Sequence, residues 1–171
     1  MVTMNHSSVS SVDHCLVVSL SQQTLTLIRN AKVEKNWPVS TALKGAGESN
    51  HSGCTPRGEH RIRIKIGEGC PAGSVFRGRR PTGEIYSQEL ARQFPERDWI
   101  LSRILWLTGC ESGRNRGGDS DSLKRYIYIH GTPDSEPMGT PLSHGCVRMR
   151  NTDIIELFDL VENAMPVIIQ D

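Results

Sequence analysis

The chain predicts a mainly β fold with one or two helices, sandwich-like or barrel-like in architecture. Three features carry that reading. Short runs of β-branched, aromatic and aliphatic residues recur along the chain, some alternating with charged ones, and such residues suit a pleated, half-buried surface. Sixteen glycines and nine prolines break these runs apart, as the turns of a β-rich fold require. Helical spacing of apolar residues is sustained in one place, between residues 151 and 161.

Taken in order, residues 1–12 are rich in Ser and Val and are expected to form a flexible leader, with residues 13–171 making a single domain. Cys15–Ser19 and Leu25–Arg29 read as the two strands of a hairpin joined near Ser21-Gln22-Gln23. Lys32–Val39 continues the meander after an Asn30-Ala31 turn. Ala42 to Gly58 turns to Gly, Ser, Asn and Thr, a loop composition. His60 to Ile66 alternates charged residues with isoleucines, an amphipathic strand. Residues 67–83 hold five glycines, two prolines and the basic cluster Arg77, Arg79 and Arg80, so no regular element is expected there. Gly83-Glu84-Ile85-Tyr86 is expected to open a short helix running to Phe94. Ile100, Leu101, Ile104, Leu105 and Leu107, flanked by Trp99 and Trp106, suggest a buried strand. Gly109–Asp121 reads as a polar loop. After residue 150, Asn151 or Thr152 is expected to cap a helix whose first turns hold Asp153 and Glu156, favourable to the helix dipole. Its apolar stripe is Ile154, Leu157, Phe158 and Val161, and Met165–Ile169 supplies a final strand.

Composition narrows the function. Twenty basic and nineteen acidic residues leave a formal charge of +1, which gives no ground for nucleic acid or an anionic membrane as partner. No run approaches the length of a membrane span. Residues 1–14 hold no Lys or Arg, and the apolar stretch Cys15–Leu20 is too short for a secretory signal. Five cysteines at irregular spacing, an odd number, suit a reducing compartment. These features predict a cytoplasmic protein.

The chemistry concentrates in Ser143-His144-Gly145-Cys146-Val147-Arg148-Met149. Upstream, the alternating run Tyr126-Ile127-Tyr128-Ile129 predicts a strand that presents His130 at its end, with Gly131-Thr132-Pro133 turning the chain away. Pro133, Pro137, Gly139 and Pro141 exclude a helix or a continuous strand, so residues 131–145 are expected to form a shaped loop returning Cys146 towards His130. A free thiol is only a few per cent thiolate at neutral pH, and a neighbouring imidazole raises that fraction. Gly145 permits close approach of backbone to a substrate carbonyl, and N–H groups around His144, Gly145 and Cys146 are candidate oxyanion donors. The competing reading is a buried packing cysteine. Ser143 and His144 are candidates to orient the loop or line the cleft. His144 ranks behind His130 as base.

The run His130-Gly131-Thr132, a Pro/Gly loop, then Ser143-His144-Gly145-Cys146-Val147-Arg148-Met149 and Asn151 resembles the signature of the L,D-transpeptidase (YkuD-type) catalytic domain. Gln23–Leu27, Trp37-Pro38-Val39-Ser40-Thr41 and Thr55-Pro56-Arg57-Gly58-Glu59-His60 resemble earlier parts of that domain in the same order. Residues 68–120 are least like it and are expected to form a divergent cleft wall. The resemblance implies the YkuD-type β fold, Cys146 as nucleophile, His130 as base, and the Gly131 carbonyl fixing the imidazole tautomer. It implies a substrate among peptidoglycan stem peptides, free or within a muropeptide, and covalent inhibition by carbapenems. Combined with the cytoplasmic reading, it predicts an L,D-carboxypeptidase that releases D-Ala from murein tetrapeptide during cell-wall recycling. The alternatives are an L,D-transpeptidase forming 3→3 cross-links and a non-catalytic muropeptide-binding module.

Arg148 either holds a substrate carboxylate or braces the cysteine loop, since its planar head suits both. Arg77, Arg79 and Arg80, like Arg114 and Arg116, either contact an acidic ligand or form a solvated loop face. His130, His144 and Cys146 are zinc-type donors, but Cys-x-x-Cys and His-x-x-x-His pairs are absent, which argues against a metal site. No cofactor is called for.

Overall fold

One ten-stranded sheet organises residues 13–171, the residues described in the computed structural model of the protein. The leader expected at residues 1–12 lies outside them. The strands are β1 (His14–Ser19), β2 (Thr24–Arg29), β3 (Lys32–Pro38), β4 (Gly58–Ile66), β5 (Ser74–Arg77), β6 (Arg80–Ile85), β7 (Ile100–Gly109), β8 (Tyr128–Thr132), β9 (Val147–Arg150) and β10 (Pro166–Gln170). Two helices, α1 (Gln88–Gln93) and α2 (Asn151–Leu160), interrupt them. The fold is mostly β, as the turn-rich composition predicts.

The strand order is β3-β2-β1-β10-β4-β7-β5-β6, and β8 pairs with both β7 and β9. β1, β2 and β3 form the expected antiparallel meander. β10 lies parallel to β1 and antiparallel to β4, so the last strand joins the meander to the rest of the sheet. Successive stretches of β7 pair with β4 and β5, while β8 pairs across Leu101–Trp106. β9 then adds to β8 in parallel. The outer strand β3 carries Lys32, Glu34 and Lys35, exposed charges that discourage pairing with another chain.

One apolar core lies between the sheet and α2, and includes Leu16, Leu27, Ile62, Leu107, Ile129, Val147, Ile154, Leu157 and Phe158. Burying each of the last three contributes about 1.5–3 kcal/mol. Lys65 Nζ donates to the carbonyls of Phe158 (2.7 Å) and Val161 (2.8 Å), where a cation suits the helix C-terminus. A smaller cluster of Phe76, Ile104 and Tyr128 has Cys146 and Trp106 packed against it. The cysteine of the signature is thus kept apart from the main core.

Four local expectations need correction. Residues 67–83 are not irregular: β5 and β6 form a hairpin whose turn residues Gly78 and Arg79 have φ of 54° and 65°. Two left-handed residues match the twist of a hairpin, but Arg in the second position lacks the Asn-Gly signature that reveals such turns. Gly83–Ile85 therefore belongs to a strand. The helix begins later, where Ser87 Oγ accepts from the Leu90 N–H at 3.0 Å. β8 does not stop before His130 but runs on through Gly131 and Thr132. Finally, Arg150 occupies the N-cap of α2 without a side-chain hydrogen bond, because the Asn151 side chain is engaged elsewhere.

Candidate active site

β8 and β9 place the predicted pair. In their parallel register Ile129 opposes Val147 and His130 opposes Arg148. Side chains alternate across a strand. With Ile129 and Val147 in the main core, His130 and Arg148 take the opposite face. Cys146, one residue before β9, packs on that face beside Tyr128. The Tyr128 N–H donates to Cys146 Sγ at 3.4 Å, and the thiol donates to the Tyr126 carbonyl at 3.4 Å. The shaped loop therefore returns the thiol to the strand that carries His130.

His130 is buried, and its Nδ1 lies 2.6 Å from the Gly131 carbonyl. A carbonyl can only accept, so Nδ1 carries the proton and the Nε2 lone pair is left to receive one. Gly131 is required for this approach. A Cβ there would stand 2.4 Å from the Leu101 carbonyl oxygen and 2.7 Å from Asn151 Oδ1. Asn151 in turn accepts from Ser102 Oγ at 2.5 Å and donates to the Thr132 carbonyl at 3.0 Å. These contacts fix the end of β8.

Electrostatically the two groups rest neutral. Burial pushes the Cys146 thiol up to about 12, against the pull of the Tyr128 N–H and the Arg148 and Arg125 cations. Burial also holds the His130 imidazole below its ordinary range, although the Gly131 carbonyl and Asp98 oppose this. Desolvation is the largest influence on each, and it favours their neutral forms. The proton must leave the thiol as it attacks.

The nucleophile loop is braced by earlier parts of the chain. Ser143 Oγ donates to the Cys146 carbonyl at 2.6 Å and accepts from the Gly145 N–H at 3.2 Å. The Gly145 N–H is thereby occupied, while no group among the described residues accepts from the N–H of His144 or Cys146. Gly145 has φ of 134°, and a Cβ there would press to 3.3 Å from the Cys54 carbonyl oxygen. Thr55 Oγ1 donates to the Gly145 carbonyl at 2.9 Å. Ser40 exchanges backbone hydrogen bonds with Arg148 at 2.9 and 2.8 Å. Arg125, which sequence reasoning missed, holds the carbonyls of Gly47, Glu48 and Cys54.

Arg148 donates to the Leu142 carbonyl at 3.4 Å and pairs with Asp98 at 3.3 Å. With exposed His144 and residues Pro95–Trp99 it lines a cleft of about 260 Å³. Larger clefts lie elsewhere, among them two of about 490 Å³, one lined by the other side of Pro95–Trp99 and one beside His14 and Leu160. Arg77 and Arg80 are exposed, and Arg114 pairs with Glu111, whose carboxylate also holds the start of β4. Arg79 alone of these cations reaches the tyrosines beside the thiol. Among the described residues no three His, Cys, Asp or Glu side chains converge on a metal position. No described helix is long and apolar enough to cross a membrane.

Asp98, Tyr126 and Tyr128 also escaped the sequence reading. Tyr128 was detectable, since it shares a face of β8 with His130 at period two, whereas Tyr126 lies before the strand with φ of 56°. Asp98 gave no signal.

Residues 13–169 match the family model of the L,D-transpeptidase catalytic domain, YkuD. Over 164 residues the chain is 26% identical to YkuD of Bacillus subtilis (strain 168), a relative assigned to the L,D-transpeptidases, covering 93% of this chain and 67% of that protein. In fold it is similar to an L,D-transpeptidase from Mycobacterium smegmatis, with a TM-score of 0.58, 20% identity, and coverage of 93% of this chain and 59% of that one. It is likewise similar to L,D-transpeptidase 3 from Mycobacterium tuberculosis in complex with a faropenem-derived adduct, with a TM-score of 0.58, 18% identity and coverage of 93% and 60%. The chain thus spans about three-fifths of the length of those two solved chains.

Proposed function

The chain belongs to the L,D-transpeptidase catalytic domain family, and on that premise we propose that it is a cysteine acyl-transfer enzyme acting on peptidoglycan stem peptides, with water as its acceptor. The reading rests on one observation above the others. The 2.6 Å contact from His130 Nδ1 to the Gly131 carbonyl leaves the Nε2 lone pair available on the face that carries Cys146.

The reaction proceeds in two halves. Cys146 Sγ attacks the carbonyl on the L-centre of the third stem residue while His130 Nε2 takes the thiol proton. The tetrahedral oxyanion is held by N–H donors beside Cys146, those of His144 and Cys146 having no acceptor among the described residues. Collapse breaks the C–N bond, and the imidazolium protonates the departing D-Ala amine. Water then adds to the thioester, giving up its proton through His130, and the thiol is restored. The Gly131 carbonyl stabilises the transient imidazolium and keeps its orientation.

One observation supports hydrolysis over cross-linking. Five free cysteines favour a reducing compartment, where soluble tetrapeptides from wall recycling would be the available donors. The protein is accordingly an L,D-carboxypeptidase of the cytoplasm that trims tetrapeptide to tripeptide.

Incubation with purified disaccharide-tetrapeptide and with free tetrapeptide tests this reading by mass spectrometry. Tripeptide and free D-Ala in equal amounts support it. Dimers formed when a second stem is supplied favour the transpeptidase reading, to which the relatives' names point. Binding that survives Cys146→Ala, with no product from the unsubstituted protein, favours a binding module. A carbapenem adduct is expected on Cys146.

A further inference from the structure

Arg79 occupies a position that its backbone does not favour. It is the second residue of the β5–β6 turn, with φ of 65°, a conformation glycine adopts freely and other residues rarely. Tyr126, with φ of 56°, is a second left-handed non-glycine residue, and the two side chains meet. The Arg79 guanidinium carbon lies 4.7 Å from the centre of the Tyr126 ring and 5.0 Å from that of Trp106. Its Nη1 donates to the Tyr128 hydroxyl at 3.2 Å. Trp106 packs on both tyrosines, tilted at 6.0 Å against Tyr126 and edge-on at 5.9 Å against Tyr128.

The same two tyrosines hold the thiol of Cys146 by their backbone groups, through the Tyr128 N–H and the Tyr126 carbonyl. The thiol therefore sits at the backbone end of Tyr128 and the guanidinium at its phenol end. Arg79 is partly exposed and has no carboxylate partner among the described residues. Of its five donors one is used. Aromatic faces orient a guanidinium without neutralising it. A cation fixed in this way, uncompensated and on a strained turn, is suited to receiving an anion.

We propose that Arg79 is a specificity-determining residue that receives a carboxylate of the acyl-donor peptide, one carried about a residue away from the carbonyl that Cys146 attacks. The assignment rests on the reading of Cys146 as the site of a peptide donor. It extends that reading by naming the feature of the donor that is recognised. In a tetrapeptide with diaminopimelate at position three, two carboxylates fall at that separation, on the diaminopimelyl side chain and on the glutamyl residue before it. The stem peptides that suit this site are acidic ones.

Binding separates the proposal from the activity. Calorimetry on the full chain carrying Cys146→Ser would compare L-Ala-γ-D-Glu-diaminopimelyl-D-Ala with two analogues, each amidated at one of those carboxylates. With Arg79 present, one amidation is expected to weaken binding roughly 10- to 100-fold, the usual worth of a charge-assisted hydrogen bond. Arg79→Gln is expected to abolish the difference and Arg79→Lys to restore part of it. Arg79→Gly, which suits the turn, is expected to melt no lower than the parent while losing the discrimination, so that a folding defect is not mistaken for the effect. Equal affinity for acid and amides in the parent overturns the proposal, as does discrimination that persists in Arg79→Gln. Release of D-Ala by the unsubstituted protein is read separately. Its absence, alongside intact discrimination, removes the hydrolase and leaves the carboxylate site standing.

Discussion

Asp98 stands 3.3 Å from the Arg148 guanidinium, and through this pair the segment before β7 reaches the strand that follows the nucleophile. Arg148 is 11% exposed and Asp98 52%, so the cation is the enclosed member and the carboxylate the one that can leave. Burial is the main influence on both Cys146 and His130, but Asp98 also raises each of them. Replacing it by Asn removes a negative charge that opposes thiolate formation. Asp98→Asn is therefore expected to speed alkylation of Cys146 by iodoacetamide a few-fold at pH 8, followed peptide by peptide in the mass spectrometer. The imidazole falls in the same direction and stays an unprotonated base. A rate that is unchanged or slower sinks this account of Asp98.

The neutral thiol has its own signature. With the group pushed up to about 12 by burial, Cys146 is expected to alkylate slowly near pH 7. The rate should climb without a plateau past pH 10, because thiolate is the reacting species. A plateau reached between pH 7 and 9 would mean a preformed thiolate–imidazolium pair and would contradict the resting state described above.

His130→Ala is expected to lower kcat for D-Ala release by about 10²–10⁴-fold, the range for loss of a general base, with donor binding to the protein kept within a few-fold. Gly131→Ala attacks the same function through packing. Its Cβ would meet the Leu101 carbonyl oxygen at 2.4 Å, and overpacking of this kind costs about 1–3 kcal/mol. Denaturant unfolding reads that loss, and activity should fall as the imidazole's anchor shifts. Turnover by His130→Ala within tenfold of the parent removes the histidine from the reaction.

His60 predicts how stability responds to acid. It lies buried between the Ser122 hydroxyl at 2.8 Å and the Gly58 carbonyl at 3.1 Å, and burial lowers its pKa to about 4. The unfolded chain, with an ordinary histidine near 6.5, binds the proton more readily than the folded one. Stability is then complete above about pH 6.5 and falls as pH drops towards 4, by about 3 kcal/mol. Buried His130 adds to the same trend. His60→Gln should lower stability at pH 7 and flatten the slope between pH 6.5 and 4. An unchanged slope would mean that His60 is not a source of the acid sensitivity.

Local chemistry decided what could be read in advance. Strands with β-branched or alternating residues announced themselves, as did the Ile154–Phe158 face of α2, because their periodicity reflects one buried side. The return of Cys146 to the strand that carries His130 was legible because Pro133, Pro137, Gly139 and Pro141 leave the intervening loop few ways to run. β5 and β6 were hidden, since Gly78-Arg79 forms the turn with an arginine where glycine is usual. The short β9 was missed too, because Val147–Arg150 follows directly on the nucleophile motif and was assigned no element. Asp98, Arg125 and the Tyr126–Tyr128 backbone contacts were out of reach for a different reason. Each acts across a large sequence separation through a carbonyl, an N–H or a charge, and such partners leave no spacing to detect.

The place of Pro166–Gln170 between β1 and β4 governs how the molecule is born. The meander leaves the ribosome well before Pro166–Gln170, and until those residues follow, its inner edge has no permanent neighbour. Until that slot is filled, both flanks present unpaired amides to whatever is nearby. A nascent chain stalled before residue 166 is thus the form in which chaperones, proteases and aggregation would compete for this protein.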